Sequence, residues 1–201
     1  MRASPGDEHC MGGLRQAIER YGSPVERSVT LQVNLEAFFI RRAGPRERPA
    51  EVVVLLRRRN GRYLVHTKAF YPKGVYRLLS GGIDCGEDLI TAVRREAYEE
   101  TGLEVTIERF LGILHYRFVS GGRSVPFTSY VFIVADKDGV LRSTDPEEAI
   151  TDYREVTLSE IAALADQLES LEPDWADWGR FRAVAHRLVV EVLAEDSSCA
   201  P

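Results

Sequence analysis

The stretch from Gly81 to Leu103, GGIDCGEDLITAVRREAYEETGL, most constrains what this chain can fold into. Its first six residues include three glycines, which permit positive φ and let backbone N–H groups approach a ligand, so they indicate a glycine-rich loop. A helix follows, with Asp88 suited to its N-cap and Gly102 standing where helices commonly end in a left-handed residue. The pattern predicts a loop and a helix that together hold a ligand.

Three carboxylates of this helix crowd onto one side of it. At about 100° per residue, Glu96, Glu99 and Glu100 share one arc, beside the apolar positions rather than opposite them. Glu99 and Glu100 also lie in the last turn, where the helix dipole disfavours an acid by about 0.3–1 kcal/mol. Arg95 alone cannot neutralise three carboxylates, but a divalent cation that also binds phosphate oxygens can. The composition therefore predicts metal-assisted chemistry on a phosphate ester or anhydride.

The same stretch resembles the Nudix box, G-x5-E-x7-R-E-U-x-E-E-x-G-U, in which U is an aliphatic residue. Every fixed position of the box is filled, by Gly81, Glu87, Arg95, Glu96, Ala97, Glu99, Glu100, Gly102 and Leu103. Two positions depart from the usual family pattern: Leu79 stands where proline is common before the box, and Ala97 is small for an aliphatic position. Neither departure touches the acids.

The resemblance implies a fold and a metal site. The fold would be an α/β/α sandwich with a mixed β-sheet between helices and a C-terminal helical extension. One or more Mg2+ or Mn2+ ions would be held by Glu96, Glu99 and Glu100, with Glu87 as a further ligand, direct or through water. Arg95 would orient these acids.

The resemblance also implies residues outside the acid cluster. Gly81, Gly82 and Arg77 are candidates for contacting the substrate, and a structural salt bridge is the alternative role for Arg77. Nudix enzymes often recruit a further glutamate from a late loop as a metal ligand or general base. Glu147 and Glu148 are the candidates for that role.

The function implied is hydrolysis of a nucleoside diphosphate linked to another group, such as a nucleotide sugar, an ADP-ribose-like molecule or a dinucleotide. Two alternatives stay open. One is a non-catalytic module that senses a nucleotide or sugar phosphate, although sensing does not require the full set of carboxylates. The other is a house-cleaning pyrophosphatase that acts on nucleoside triphosphates.

Composition narrows the class of protein. With 201 residues, 44% hydrophobic and 28% charged, the chain fits one globular domain. A formal net charge of −5 argues against general binding to nucleic acid, so the expected partner is a small-molecule nucleotide. Three widely spaced cysteines suggest neither a zinc site nor a disulfide framework, and no apolar run is long enough to span a membrane. We therefore expect a cytoplasmic protein.

The chain divides into an extension (1–24), a single domain (25–195) and a tail (196–201). Within the domain, 158–195 forms the C-terminal helices, which would pack on the sheet or on a second subunit, so a homodimer stays open. Periodicity and turn residues predict the remaining elements. They are a helix at 14–21, strands at 29–40, 51–56, 63–68, 105–119 and 125–135, an acidic loop at 136–152, and helices that begin near Thr157 and Trp175.

Overall fold

The computed structural model describes residues 13–36, 38 and 48–198. Its helices are α1 (Leu14–Tyr21), α2 (Leu89–Thr101), α3 (Leu158–Glu169) and α4 (Pro173–Ser198). Its strands are β1 (Val25–Gln32), β2 (Ala50–Arg57), β3 (Tyr63–Lys68), β4 (Leu79–Gly82), β5 (Leu103–Ser120), β6 (Arg123–Gly139) and β7 (Ile150–Val156). A short 3-10 turn, Pro146–Glu148, precedes β7. No helix in these ranges is both long and apolar enough to cross a bilayer.

The strands form one seven-stranded mixed sheet. Its order is β1-β5-β6-β2-β3-β7, and β4 pairs with β2 beside β3. The β1–β5 and β6–β2 pairs are parallel, and the other pairs are antiparallel. In the β2–β4 pair, Val52 lies opposite Gly81 and Val53 opposite Ser80. The start of the box is therefore hydrogen-bonded to the middle of the sheet.

Helices cover both faces of this sheet because β2 is apolar on both sides, as expected for a buried central strand. Val52 and Val54 pack in the core cluster that includes α1 and α2, whereas Val53 and Leu55 pack in the cluster that includes Phe181 of α4. The predicted α/β/α arrangement with a C-terminal helical extension is confirmed.

The helix ends lie where the sequence predicts them. The Asp88 side chain accepts hydrogen bonds from the backbone N–H groups of Ile90 and Thr91, and Gly102 ends α2 with a φ of 68°. Thr157 and Glu160 form a capping box at the start of α3. Such caps are favoured because the first N–H groups of a helix have no partner within it.

Two sequence predictions about element bounds are wrong. The strand predicted over 29–40 runs instead from Val25 to Gln32, and Leu35, Glu36 and Phe38 are helical. The cause is tertiary packing: Phe38 is 2% exposed and its ring lies 4.6 Å from that of Phe118. Val33 and Asn34 belong to neither a strand nor a helix, and positions 37, 39 and 40 lie outside the described residues. The acidic loop predicted over 136–152 is shorter, because β6 extends to Gly139 along β5 and β7 begins at Ile150.

Candidate active site

The glycines that open the box belong to a strand, which corrects the predicted glycine-rich loop. Gly81 and Gly82 end β4, and among the box glycines before α2 it is Gly86 that has a left-handed φ, 77°. Gly81 is required for a different reason. A Cβ atom there would lie 1.8 Å from Oε2 of Glu96, so only glycine lets this carboxylate of α2 approach the strand.

Arg95 gathers three of the four box carboxylates. Its Nε donates to Glu87 at 2.7 Å, and its Nη1 donates to Glu96 at 2.6 Å and to Glu99 at 2.9 Å. Its Nη2 donates to Glu87 at 2.7 Å and to the backbone oxygen of Gly82 at 2.9 Å. One planar guanidinium with five donors thereby connects α2 to β4 and separates acids that would otherwise repel each other.

Glu100 belongs to a second, more deeply buried group. It is fully buried, and its Oε2 accepts a hydrogen bond of 3.0 Å from the backbone N–H of Ser80. Its Oε1 lies 3.2 Å from Nζ of Lys68 and 3.8 Å from Nη2 of Arg77. Lys68 also donates to Glu148, which follows the last long strand of the sheet. The late loop and the box helix therefore meet at one lysine.

Burial perturbs these acids in the direction expected for a site that binds a cation. Burial, with repulsion from Glu100 as the next cause, raises the pKa of Glu96 to about 8. Burial also raises the pKa of Glu100, because it outweighs the attraction of Lys68 and Arg77. Glu100 Oε1 is buried, and although Nζ of Lys68 lies 3.2 Å away, this oxygen accepts no hydrogen bond of good geometry. A cation at this place would stabilise both carboxylates in their charged form.

The residues present fit a divalent metal such as Mg2+, although their side chains are turned to other partners. Within residues 13–36, 38 and 48–198, no three His, Cys, Asp or Glu side chains converge as a formed metal site. The donors are nevertheless hard carboxylate oxygens, the type that Mg2+ and Mn2+ prefer. The unsatisfied Glu100 Oε1 and the close approach of Glu96 to Gly81 supply the structural support for this fit.

The remaining predicted site residues differ in their surroundings. Arg77 is 2% exposed and donates to Tyr71, to Ser80 and to the backbone oxygen of Leu78, which are the interactions of a structural side chain. Glu147 is exposed, whereas Glu148 points to Lys68. The structure thus distinguishes two neighbouring acids that the sequence leaves equivalent. Substrate contact by Gly81, Gly82 and Arg77 stays a prediction.

Sequence reasoning missed Lys68, the cation that Glu100 and Glu148 share. In the sequence it is the last residue of an ordinary strand, and its partners lie 32 and 80 positions away. The backbone of the structure, and not the sequence, marks the other end of the contact. Ala149, directly after Glu148, has a left-handed φ of 51° and is the one described non-glycine residue with positive φ. Such strain is tolerated where surrounding structure fixes the backbone.

The opposite face of β4 carries a different polar network. Arg182 of α4 donates to both carboxylate oxygens of Glu51, at 3.0 and 2.8 Å, and to Oγ of Ser80 at 3.0 Å. Ser129 donates to Glu51 at 2.8 Å. His186 accepts from the N–H of Leu78 through Nε2 at 3.1 Å, so its Nδ1 donates to the backbone oxygen of Arg182 at 2.9 Å. These buried groups link α4 to the strand that leads into the box.

Comparison with known proteins agrees with this geometry. A family model described as the NUDIX domain matches residues 47–178, more than half of the chain. The chain belongs to the Nudix hydrolase family. The resemblance of the box is thereby confirmed, and the matched range extends from just before β2 into α4.

Two relatives match parts of the chain in sequence. The mitochondrial NAD(P)H pyrophosphatase NUDT13 of Homo sapiens is 38% identical over 72 residues, which are 36% of this chain and 20% of that protein. MutT4 of Mycobacterium tuberculosis is 30% identical over 160 residues, 79% of this chain and 55% of that protein. The chain therefore spans between a fifth and about half of the length of these two relatives.

A solved structure shares the fold. The crystal structure of a UDP-X diphosphatase superposes with a TM-score of 0.51 at 14% identity, covering 81% of this chain and 70% of that chain. At this identity the likeness concerns the fold alone.

The predicted cytoplasmic location stays a prediction, since one Nudix relative is mitochondrial by name. The predicted homodimer likewise stays a prediction.

Proposed function

We propose that this protein is a metal-dependent hydrolase that cleaves the diphosphate linkage of a nucleoside diphosphate joined to another group. One observation carries the proposal: two buried carboxylates, Glu96 and Glu100, stand against the Gly81 strand with raised pKa values and an unsatisfied oxygen. Each of these carboxylates has a cationic neighbour, Arg95 for Glu96 and Lys68 for Glu100, yet burial still raises both pKa values. A bound divalent cation would stabilise their charged forms further.

The proposed roles follow from the position of each acid. Glu96, Glu99 and Glu100 would hold Mg2+ or Mn2+, with Glu87 as a further ligand. The bound metal would make water a better nucleophile and offset negative charge on the phosphate oxygens. Arg95 would keep Glu87, Glu96 and Glu99 on one side of α2 through the hydrogen bonds described above.

Glu148 is the proposed general base. Burial alone would raise the pKa of its carboxyl, but attraction to Lys68 outweighs this and lowers it. The group is therefore ionised at neutral pH, which is the form that a base requires, and release of the lysine contact would make it a stronger base. Glu147 is exposed, and its backbone N–H donates to the Asp145 side chain, whereas Glu148 is partly buried against Lys68. Glu148 is therefore preferred over Glu147.

The substrate class rests on the acid site and on a relative. A diphosphate presents oxygens that a metal bridges readily. The human relative is named as a pyrophosphatase of NAD(P)H, a molecule in which a diphosphate joins two nucleosides. Nucleoside diphosphates that carry a second group are accordingly the proposed substrates of this chain.

The test is hydrolysis of a panel of substrates: ADP-ribose, UDP-sugars, NADH, dinucleoside polyphosphates, coenzyme A and nucleoside triphosphates. We expect turnover of at least one diphosphate-linked substrate with Mg2+ or Mn2+, and loss of that turnover in excess chelator, because water needs the metal to react. Nucleotide release measured by chromatography identifies the bond that is broken.

Three outcomes would contradict the proposal. Undiminished hydrolysis in chelator would remove the metal from the mechanism. Nucleotide binding without hydrolysis of any panel member would favour a sensing module. Hydrolysis of nucleoside triphosphates alone would favour the house-cleaning alternative.

A further inference from the structure

Phe70 is an exposed aromatic residue on the turn between β3 and β4. It exposes 55% of its surface, and among described aromatic residues only Tyr98 is comparably exposed, at 50%. Most of the other large aromatic rings pack inside the two main core clusters. Neither the fold nor the proposed chemistry accounts for a phenyl ring left in water at this place.

The turn that carries Phe70 is tied to the acid site on both sides. Two residues before it, Lys68 contacts Glu100 and Glu148. Ala69 donates its backbone N–H to the oxygen of Ala149 at 2.8 Å, which joins the turn to the loop of Glu148. Since two extended residues span at most about 7 Å, the backbone of Phe70 lies within that distance of the backbone of Lys68.

The residue that follows Phe70 makes a second connection to the acids. The hydroxyl of Tyr71 accepts a hydrogen bond of 2.7 Å from Nε of Arg77, and Nη2 of the same arginine lies 3.8 Å from Glu100. Movements of the turn are therefore restrained by two separate routes to the same buried carboxylate.

Phe70 is also the outermost ring of an aromatic row. Its ring lies 5.0 Å from Tyr71 at 83°, and Tyr71 lies 4.8 Å from Trp178 of α4. Trp178 is buried, at 2% exposure, and contacts Trp175 at 5.3 Å. Packing against this row restricts the orientation of the exposed Phe70 ring. The ring therefore loses little conformational freedom when a ligand covers it.

We propose that Phe70 is a substrate-positioning residue that stacks on the nucleobase of the substrate. The ligand identity rests on the proposed function: a nucleoside diphosphate has a charged diphosphate for the acid site and a flat base that stacks on an aromatic ring. The Phe70 backbone lies two residues from Lys68, which contacts Glu100 and Glu148, and the ring is exposed, whereas the buried aromatic residues of the core are not accessible to a base.

The experiment separates base binding from phosphate binding without relying on turnover. Calorimetric titration with Mg2+ present gives the Kd of ADP and UDP, which contain a base, and of inorganic pyrophosphate, which does not. Because stacking of a base on an aromatic side chain corresponds to about 5- to 150-fold in affinity, we expect Phe70→Ala to weaken ADP and UDP by about 10-fold. Pyrophosphate affinity should change less than about 2-fold, and Phe70→Trp should restore nucleotide affinity.

Tyr98→Ala is the matched control. Tyr98 is an exposed aromatic of α2 that lines a surface groove with Thr91, Arg94 and Thr106. This variant removes a similar exposed ring and should leave all three affinities unchanged.

Other results overturn the assignment. Equal loss for nucleotides and pyrophosphate in Phe70→Ala would show damage to the acid site instead of lost stacking. Unchanged affinities, or wild-type protein that binds ADP and UDP no better than pyrophosphate, would show that the ring contacts no base. If nucleotide binding depends on Phe70 but no panel substrate is hydrolysed, the stacking assignment stands and the proposed function fails.

Discussion

Buried carboxylates lie on both sides of β4, and they differ in how completely they are hydrogen-bonded. On the α4 face, Glu51 receives three hydrogen bonds from Arg182 and Ser129. On the α2 face, Glu100 Oε1 lies 3.2 Å from Lys68 but accepts no hydrogen bond of good geometry. The pKa of Glu96 is raised to about 8 by burial first and by Glu100 second. Glu51 belongs to β2, and Glu96 and Glu100 belong to α2. Both groups are joined to Ser80 of β4, which accepts a hydrogen bond from Arg182, the partner of Glu51, and donates one to Glu100.

The contrast indicates which face serves stability and which serves chemistry. A satisfied buried ion pair is costly to break, because removal of one partner strands the other. A carboxylate pair that is incompletely satisfied weakens the metal-free fold, and it persists where binding depends on it. We therefore expect substitutions on the α4 face to change unfolding and substitutions on the α2 face to change activity.

The largest expected effect is on the α2 face. Glu96→Gln should lower kcat by about 10³-fold or more, because metal ligation contributes several kcal/mol to the transition state. Its metal-free free energy of unfolding should equal or exceed that of wild type, since glutamine is neutral and the raised pKa shows that charge is disfavoured there. Turnover and urea unfolding in chelator test both points, with exposed Glu104→Gln as control. A variant that unfolds more easily yet keeps its activity would reverse the comparison.

On the α4 face, Arg182→Met should destabilise the fold. It strands the buried Glu51 carboxylate, so we expect a loss of about 3–5 kcal/mol in the free energy of unfolding. Arg187→Met on the same helix is the control. Arg187 is an exposed partner of Asp166 and Glu169, and its loss should cost less than about 1 kcal/mol. Similar losses of unfolding free energy in the two variants would show that the buried network stabilises the fold no more than a surface ion pair does.

The two neighbouring acids of the 3-10 turn, Glu147 and Glu148, should differ in their effect on kcat. Glu148→Gln should lower kcat by about 10²-fold, the lower end of the range for a lost general base, while Glu147→Gln should have little effect. Steady-state kinetics on the best panel substrate measure both, and circular dichroism verifies the fold. If both variants stay fully active, the base lies elsewhere and the Lys68–Glu148 contact is structural.

The smallest expected effect is a pH dependence from the α4 face. Burial lowers the pKa of His186 to about 4, from an ordinary value of 6.5. The unfolded chain therefore binds more protons than the folded chain between these values, so stability falls as pH drops through this window. For this group alone the loss is about 2 kcal/mol at pH 5. His186→Gln should remove that part of the pH dependence, whereas exposed His115→Gln should not, as measured by urea unfolding from pH 7 to pH 5.

Sequence reasoning went furthest where the determining contacts are local. Asp88, Gly102 and Thr157 act within a few residues, so the helix ends that they form were predicted correctly. The arc of acids on α2 was also readable from helical periodicity. Helical spacing shows that the carboxylates of α2 lie near each other. It does not show which cations from distant parts of the chain lie between them.

The rest depended on contacts distant in sequence. Lys68 reaches Glu100 from a strand, and Arg182 reaches Ser80 across 102 positions. Phe38 is drawn out of a strand pattern by packing on Phe118. The box glycines were predicted as a loop because glycine usually signals positive φ. At Gly81 the deciding factor is instead the space occupied by Glu96.

The Arg182–Glu51 contact also sets an order of assembly during protein synthesis. At about 5–20 residues per second, the box helix leaves the ribosome several seconds before Arg182 is made. Through that interval the box helix is present, but the cation that satisfies the other side of β2 and β4 is not. Because α4 is translated after the sheet and the box helix, it closes the back of the proposed site late, and a nascent chain halted before α4 leaves Glu51 without its arginine.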